Sequence, residues 1–275
     1  MKTLEAEVAE NRVRREANRK AAEQSASRGK SHMRRWAKWA IEPLNAAMHA
    51  LRLARLKAER RKRIAEYLER DGFKGLQVGC GPHINSGWHN SDIFMPRPFF
   101  RGFTKQESEL DLHVDITEPL PYPDDSLDAI YAEEVLEHVP NPAGRAFLSE
   151  AKRVLRPGGV LRLTTPDALG ICKVFAGGVP DVDVEHWEPF WLNPYWSREY
   201  WLNGQFYLYG HQHLWTFEEL SDALGQSGFK KVERVEPMQT NSEMPQLANL
   251  ERHAVSNPEI LRIDAHVRQI VEATA

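Results

Sequence analysis

The chain has 275 residues, 41 % of them hydrophobic and 27 % charged, which supplies a buried core and excludes a disordered, collagen-like or disulfide-stapled class. Cys80 and Cys172 make no disulfide framework and fit a reduced, cytoplasmic compartment. No run of 18 apolar residues offers a membrane span, and the charged stretch from Met1 to Lys30 lacks a signal peptide's apolar segment. The net charge of −3 hides a division. Residues 1–70 hold 19 of the 36 Lys and Arg but 9 of the 39 Asp and Glu, so a basic arm (+10) precedes an acidic remainder (−13).

Along the arm, residues 1–31 are polar and have little to bury. From Met33 the apolar residues Trp36, Trp39, Ile41, Leu44, Met48, Leu51 and Leu53 recur at roughly helical spacing among arginines and lysines. Pro43 is expected to start a helix or to disturb one running through it. Three occupants suit this basic helical extension, residues 1–70. They are the protein's own body or a second subunit of a homodimer, an anionic bilayer at the inner membrane face contacted through residues 33–63, and nucleic acid. On a helix the run Arg60–Arg63 spreads around the cylinder, which disfavours a dedicated phosphate stripe and makes nucleic acid the weakest of the three.

The body, residues 71–236, reads as alternating strands and helices. Asp71-Gly72 stops a helix, and Leu76–Val78 makes a first strand that runs into Gly79-Cys80-Gly81. Further strands are expected at Trp88–Ile93, Leu112–Ile116, Leu127–Tyr131, Val160–Thr164 and Phe229–Val235. Helices are expected at Pro142–Leu155 and, behind the capping box of Thr216 and Glu219, at Phe217–Gln226. This order predicts an α/β fold, a doubly wound, mostly parallel Rossmann-like sheet with helices on both faces. Only Pro82 to Gly87 separates the glycine turn from the second strand, too short for an ordinary crossover helix. Residues 237–275 form a C-terminal extension with helical spacing over 260–273 (Ile260, Ile263, Val267, Ile270, Val271).

In such a sheet, ligands bind at the carboxyl ends of the strands. Gly79 and Gly81 stand there, and Ile84 replaces the third glycine of the dinucleotide fingerprint, which weakens a pyrophosphate reading. Three carboxylates follow at successive strand ends: Asp92, Asp115 and Glu133. Such a lining repels phosphates and accepts hydroxyl and amine hydrogens, so it fits a nucleoside with a cationic or zwitterionic tail.

Val78–Gly81, Asp115–Asp128 (DITEPLPYPDDSLD), Glu133–Val139 (EEVLEHV) and Leu155–Gly159 (LRPGG) together resemble the class I S-adenosylmethionine-dependent methyltransferases. The likeness is nearest to the small bacterial predicted methyltransferases of type 11. It implies a seven-stranded Rossmann-like fold and S-adenosylmethionine as cofactor. It further implies cofactor methionine over Val78-Gly79-Cys80-Gly81, ribose at Asp92 and Ile93, adenine near Asp115 and Ile116, and Glu133 facing the cofactor. Two departures stand out: Gln77 replaces an acidic residue common in the family, and the first crossover is short.

Residues 167–215 form an aromatic-rich insert, with five Trp, four Tyr and three Phe in 49 positions. These aromatics suit either a lid with its own small core or a flat floor for an acceptor. Removing a proton from an acceptor oxygen or nitrogen needs a base. The candidates are His213 and His211, followed by His186 and by His138, which the family resemblance marks as structural. No cysteine or third ligand at a convincing spacing accompanies His211 and His213, so no metal is expected. The sequence thus predicts a methyltransferase acting most readily on a hydroxyl of a sugar, glycan precursor or other small molecule. The alternatives are a non-catalytic methyltransferase-like binding module and a nucleic-acid methyltransferase guided by the arm.

Overall fold

A computed structural model describes residues 32–93, 110–179, 197–252, 263 and 265–275, without side-chain detail for 32–45, 49 and 52. Residues 1–31, the aromatics Trp187, Trp191 and Trp196, His186 and Ile260 lie outside these, as do the side chains of Trp36 and Trp39. Seven strands form one sheet: β1 (Gly75–Val78), β2 (Trp88–Asp92), β3 (Leu112–His113), β4 (Leu127–Glu133), β5 (Leu155–Pro166), β6 (Lys231–Arg234) and β7 (Arg268–Thr274). Their spatial order is β3-β2-β1-β4-β5-β7-β6. β1 to β5 pair in parallel, whereas β7 runs antiparallel to both β5 and β6. This is the mostly parallel Rossmann-like architecture expected.

Among the described residues the helices are α1 (His32–Leu68), α2 (Asn141–Val154), α3 (Ala168–Phe175), α4 (Arg198–Tyr207) and α5 (Phe217–Gln226). α1 is continuous through Pro43, contrary to the expected break. A proline deletes one backbone donor there, and the turns on either side continue the helix. Its carboxyl half packs on the body: Ile64 and Tyr67 are buried, Lys57 pairs with Glu118 at 2.7 Å, and Arg63 Nη1 donates to the Asp111 carbonyl at 3.0 Å. Among the described residues no helix is long and apolar enough to cross a membrane.

Alternation along the strands divides the core. Ile130, Ala132, Leu161, Leu163, Val271 and Ala273 join one apolar cluster with Ile64 and Tyr67 of α1, Phe147, Leu148 and Ala151 of α2, and Leu220 and Leu224 of α5. Ala129, Tyr131 and Val160 belong to a second, smaller cluster with Trp88 and Leu247, against which Met244 and Leu250 pack. Among the described residues, an extended strap, residues 236–252, packs on the second face, and its helical turn is the 3-10 segment Pro245–Leu247.

Two further corrections concern the chain's second half. Residues 268–273, expected to be helical, lie in β7, so the C-terminal stretch is part of the sheet and the unit does not end at residue 236. Ile270, Val271 and Ala273 fit either period, but burial between β5 and β6 and β-branched side chains favour the strand. In the insert, Trp201 packs with Ile171, Val174, Ile263 and Val267, giving that region its own small core.

Candidate functional site

β1 and β2 are parallel neighbours, Gly75 opposite Trp88, yet the connection between them contains no helix. The glycine turn is held from in front instead. Gly79 and Gly81 have φ of +64° and +52°, and Gly81 N–H donates to Asp92 Oδ2 at 2.8 Å. A Cβ at Gly79 would collide with Val135 Cγ2, so glycine is required there by both backbone and space. Asp92 Oδ1 also accepts the Ile93 N–H at 2.6 Å. The turn and the β2 tip thus form one clasped unit at the carboxyl edge of the sheet.

The remaining residues expected at the cofactor site divide by exposure. Val78 and Ile116 are core residues, and Cys80 is fully buried, its thiol pushed up to about 12 by burial and then by the Asp92 charge. Only the backbone of Val78 and Cys80 can serve a ligand. Ile93 is exposed. Asp115 Oδ1 closes a local turn by accepting the N–H and hydroxyl of Thr117, at 2.9 and 2.7 Å. Glu133, at the end of β4, is 1 % exposed. Glu134 beside it sits at φ +54°, turning the chain sharply after the strand.

Sequence reasoning missed Arg252. Its guanidinium pairs through Nε with Glu133 Oε2, and Nη1 donates to the Cys80 carbonyl at 3.0 Å. Its backbone N–H donates to Glu133 Oε1, also at 3.0 Å. A Cβ at Gly81 would stand 3.0 Å from Arg252 Nη1. The space over the glycine turn is therefore shared with the flexible end of a strap side chain. No local signal marks Arg252, which reaches Glu133 across 119 positions. Beside it, a cavity of about 290 Å³ opens between Glu133, Thr164, Gln239, Asn241, Glu251 and Arg268.

Beyond β4, Leu136–His138 forms a 3-10 turn. The Glu137 carbonyl accepts the N–H groups of Gln212 (2.7 Å) and His213 (3.2 Å), and Gln212 Nε2 donates to the His138 carbonyl at 2.7 Å. These bonds bring His211 against His138, with ring centroids 5.0 Å apart. His213 Nε2 lies 3.1 Å from both Glu219 oxygens and 3.0 Å from Asn141 Nδ2, contacts that fix the start of α5. Burial lowers the His211 pKa, although the bonded Gln205 carbonyl opposes the shift. Burial, with Glu134 adding to it, holds the Glu137 carboxyl well above its usual range.

A methyltransferase-domain family model matches residues 98–163. An uncharacterised 37.1 kDa protein in a transposon of Streptomyces fradiae is 33 % identical over 115 residues, 36 % of this chain and 31 % of its own length. A probable S-adenosylmethionine-dependent methyltransferase of Mycolicibacterium smegmatis is 46 % identical over 50 residues, 18 % of this chain and 19 % of its own. The chain spans about a third or less of the length of the curated relatives it matches. A crystal structure of an S-adenosylmethionine-dependent methyltransferase from Mesorhizobium loti is 19 % identical with a TM-score of 0.43, covering 79 % of this chain and 98 % of that one.

Residues 98–163 are thus similar to the methyltransferase domain of the S-adenosylmethionine-dependent methyltransferase class. S-adenosylmethionine is the cofactor of that class, and the residues present suit it. Beside the glycine turn, Asp92 offers a carboxylate to a diol, and the Glu133–Arg252 pair offers both charges to a zwitterion.

Proposed function

We propose that the protein transfers a methyl group from S-adenosylmethionine to a hydroxyl oxygen of a small acceptor such as a sugar or glycan precursor. The observation that carries this reading is the glycine turn clasped by Asp92 at the carboxyl edge of the sheet, with Glu133 and Arg252 beside it. The cofactor supplies a methyl carried on a sulfonium, which is displaced in line. The protein's share is to hold both partners, exclude water and take the acceptor's proton. Gly79–Gly81 and Asp92 would hold the adenosyl and methionine backbone, and Ile93, Asp115 and Ile116 would border the adenine. A zwitterionic amino-acid end would exchange partners with the Glu133–Arg252 pair. Arg252 thereby supplies the positive field that a helix N-terminus provides in folds with a longer first crossover. The adjoining cavity, lined by Thr164, Gln239 and Asn241, suits a hydroxylated acceptor.

The test is calorimetric titration of the full chain with adenosylhomocysteine. Asp92→Ala and Arg252→Met are each expected to weaken binding tenfold or more, about 1.4 kcal/mol at that limit. Unchanged affinity in Asp92→Ala would refute the site. Tighter binding in Arg252→Met would make that arginine a competitor for the space. Binding without product from any hydroxylated acceptor would favour the non-catalytic module.

A further inference from the structure

The cluster beyond β4 has the composition and construction of a metal site. Glu137, His138 and His211 each present a ligand atom within 4.8 Å of the other two. Glu137 has no side-chain exposure, and its Oε1 has no hydrogen-bond partner; His138 Nε2 stands 3.8 Å away, beyond hydrogen-bond reach. Such an orphaned, buried carboxylate oxygen costs stability unless a cation or donor completes it. Its other oxygen, Oε2, is held by the Thr165 hydroxyl at 3.0 Å, so the free one is aimed rather than loose.

The histidines are oriented as well. The His211 Nδ1 proton is directed at the Gln205 carbonyl, which leaves Nε2 as the open lone pair of that ring. Ring fixation by a backbone carbonyl is the usual outer support of a metal-binding histidine. His138 is 39 % exposed on its side chain, which gives an ion a way in. The cross-bonds from Gln212 and His213 to Glu137 and His138 hold the two strands of the cluster together before any ion arrives. Arg268 Nε pairs with Glu134 Oε1 at 3.3 Å, and its charge also acts on the Glu137 carboxyl.

We propose that Glu137 Oε1, His138 Nε2 and His211 Nε2 bind one divalent transition-metal ion, with coordination positions left for an oxygen of the acceptor. A His₂-carboxylate set suits Zn²⁺, Mn²⁺ or Fe²⁺ over Mg²⁺ and Ca²⁺, which favour all-oxygen sites. Ligand atoms about 2.1 Å from a shared ion lie about 3.0–3.4 Å apart, so side-chain rotation of roughly 1 Å closes the cluster. The site lies just past the carboxyl ends of β4 and β5, where an ion would meet a hydroxylated acceptor. Its existence does not depend on methyl transfer.

The experiment strips the full-length protein with chelator and titrates it with Co²⁺, followed by visible absorption, and with Zn²⁺ and Mg²⁺ by calorimetry. The expected result is a single Co²⁺ band displaced by one equivalent of Zn²⁺, with no response to Mg²⁺ at the same concentrations. His138→Ala, His211→Ala and Glu137→Gln should each weaken Zn²⁺ binding tenfold or more. His83→Ala, on the exposed β1–β2 connection, should not. His138→Ala keeps the measurement decisive if the buried Glu137 variant fails to fold, since that side chain is part-exposed. No Co²⁺ band, or Zn²⁺ binding unchanged in a folded His138→Ala, overturns the proposal. These readouts use no methyl donor, so they stand or fall apart from the cofactor titration.

Discussion

The two faces of the sheet solve the same problem with different chemistry. One face is covered by α1, α2 and α5 and is closed by apolar packing. The other carries a polar row in register across the sheet: Asn90, Gln77, Tyr131, Arg162, Glu272 and Glu233 on β2, β1, β4, β5, β7 and β6. It is closed by the strap through ion pairing. Arg162, with no side-chain exposure, donates through Nε to Glu251 at 2.7 Å and through Nη1 to Glu272 at 2.5 Å. Glu251 Oε2 then accepts the Met238 N–H at 2.8 Å, while Glu272 accepts the Thr240 hydroxyl (2.7 Å) and Asn241 N–H (3.0 Å). Apolar burial holds helices with little demand on direction. A buried guanidinium between two carboxylates accepts only the strap conformation that satisfies it.

The comparison is broken most readily at Arg162. Arg162→Met leaves two buried carboxylates without their cation and is expected to cost about 3–5 kcal/mol, read from the urea midpoint. Replacing Glu251 and Glu272 with Gln in the same chain should recover part of that loss; no recovery would make packing, not charge, the strap's anchor. On the helical face, Leu148→Ala should cost about 2–4 kcal/mol through lost transfer and a residual cavity, with little dependence on salt.

A pH titration sharpens the division from the other side. His89, in β2, stacks on Tyr67 of α1 with centroids 4.3 Å apart and shares a hydrogen bond between Nδ1 and the Tyr122 hydroxyl at 2.7 Å. Burial pushes its pKa down to about 4 from 6.5. The unfolded chain therefore binds the proton first. The stabilisation is complete above pH 6.5 and is lost as pH falls toward 4, by about 3 kcal/mol. His89→Gln should flatten that part of the stability–pH curve; an unchanged slope would assign it to other groups. The smallest effect belongs to the surface: Lys57→Ala should cost about 0.5 kcal/mol, because both partners of the Lys57–Glu118 pair are well exposed.

The same division explains what the sequence could reveal. The helical face was legible because α2 and α5 carry their own periodicity, and Thr216 caps α5 by accepting the Glu219 N–H as its spacing predicts. The glycine turn and Asp92 were legible because strand ends and turn residues are local signals. The strap was not. Arg162 meets Glu251 and Glu272 across 89 and 110 positions, and nothing near any of the three names its partners. His211 is 73 positions beyond His138, so the sequence expectation of no metal followed from spacing alone and could not see Glu137, His138 and His211 come together. β7 was misread because its apolar spacing suits two periods and only its neighbours decide between them.

The clasp between Gly81 and Asp92 carries a mechanical consequence. With no helix in the β1–β2 link and the β2 tip latched to the turn, the floor of the pocket cannot yield without parting both strands. On the proposed reading, adjustment to an arriving guest would fall to the roof, where among the described residues the Arg252 guanidinium stands over Gly81.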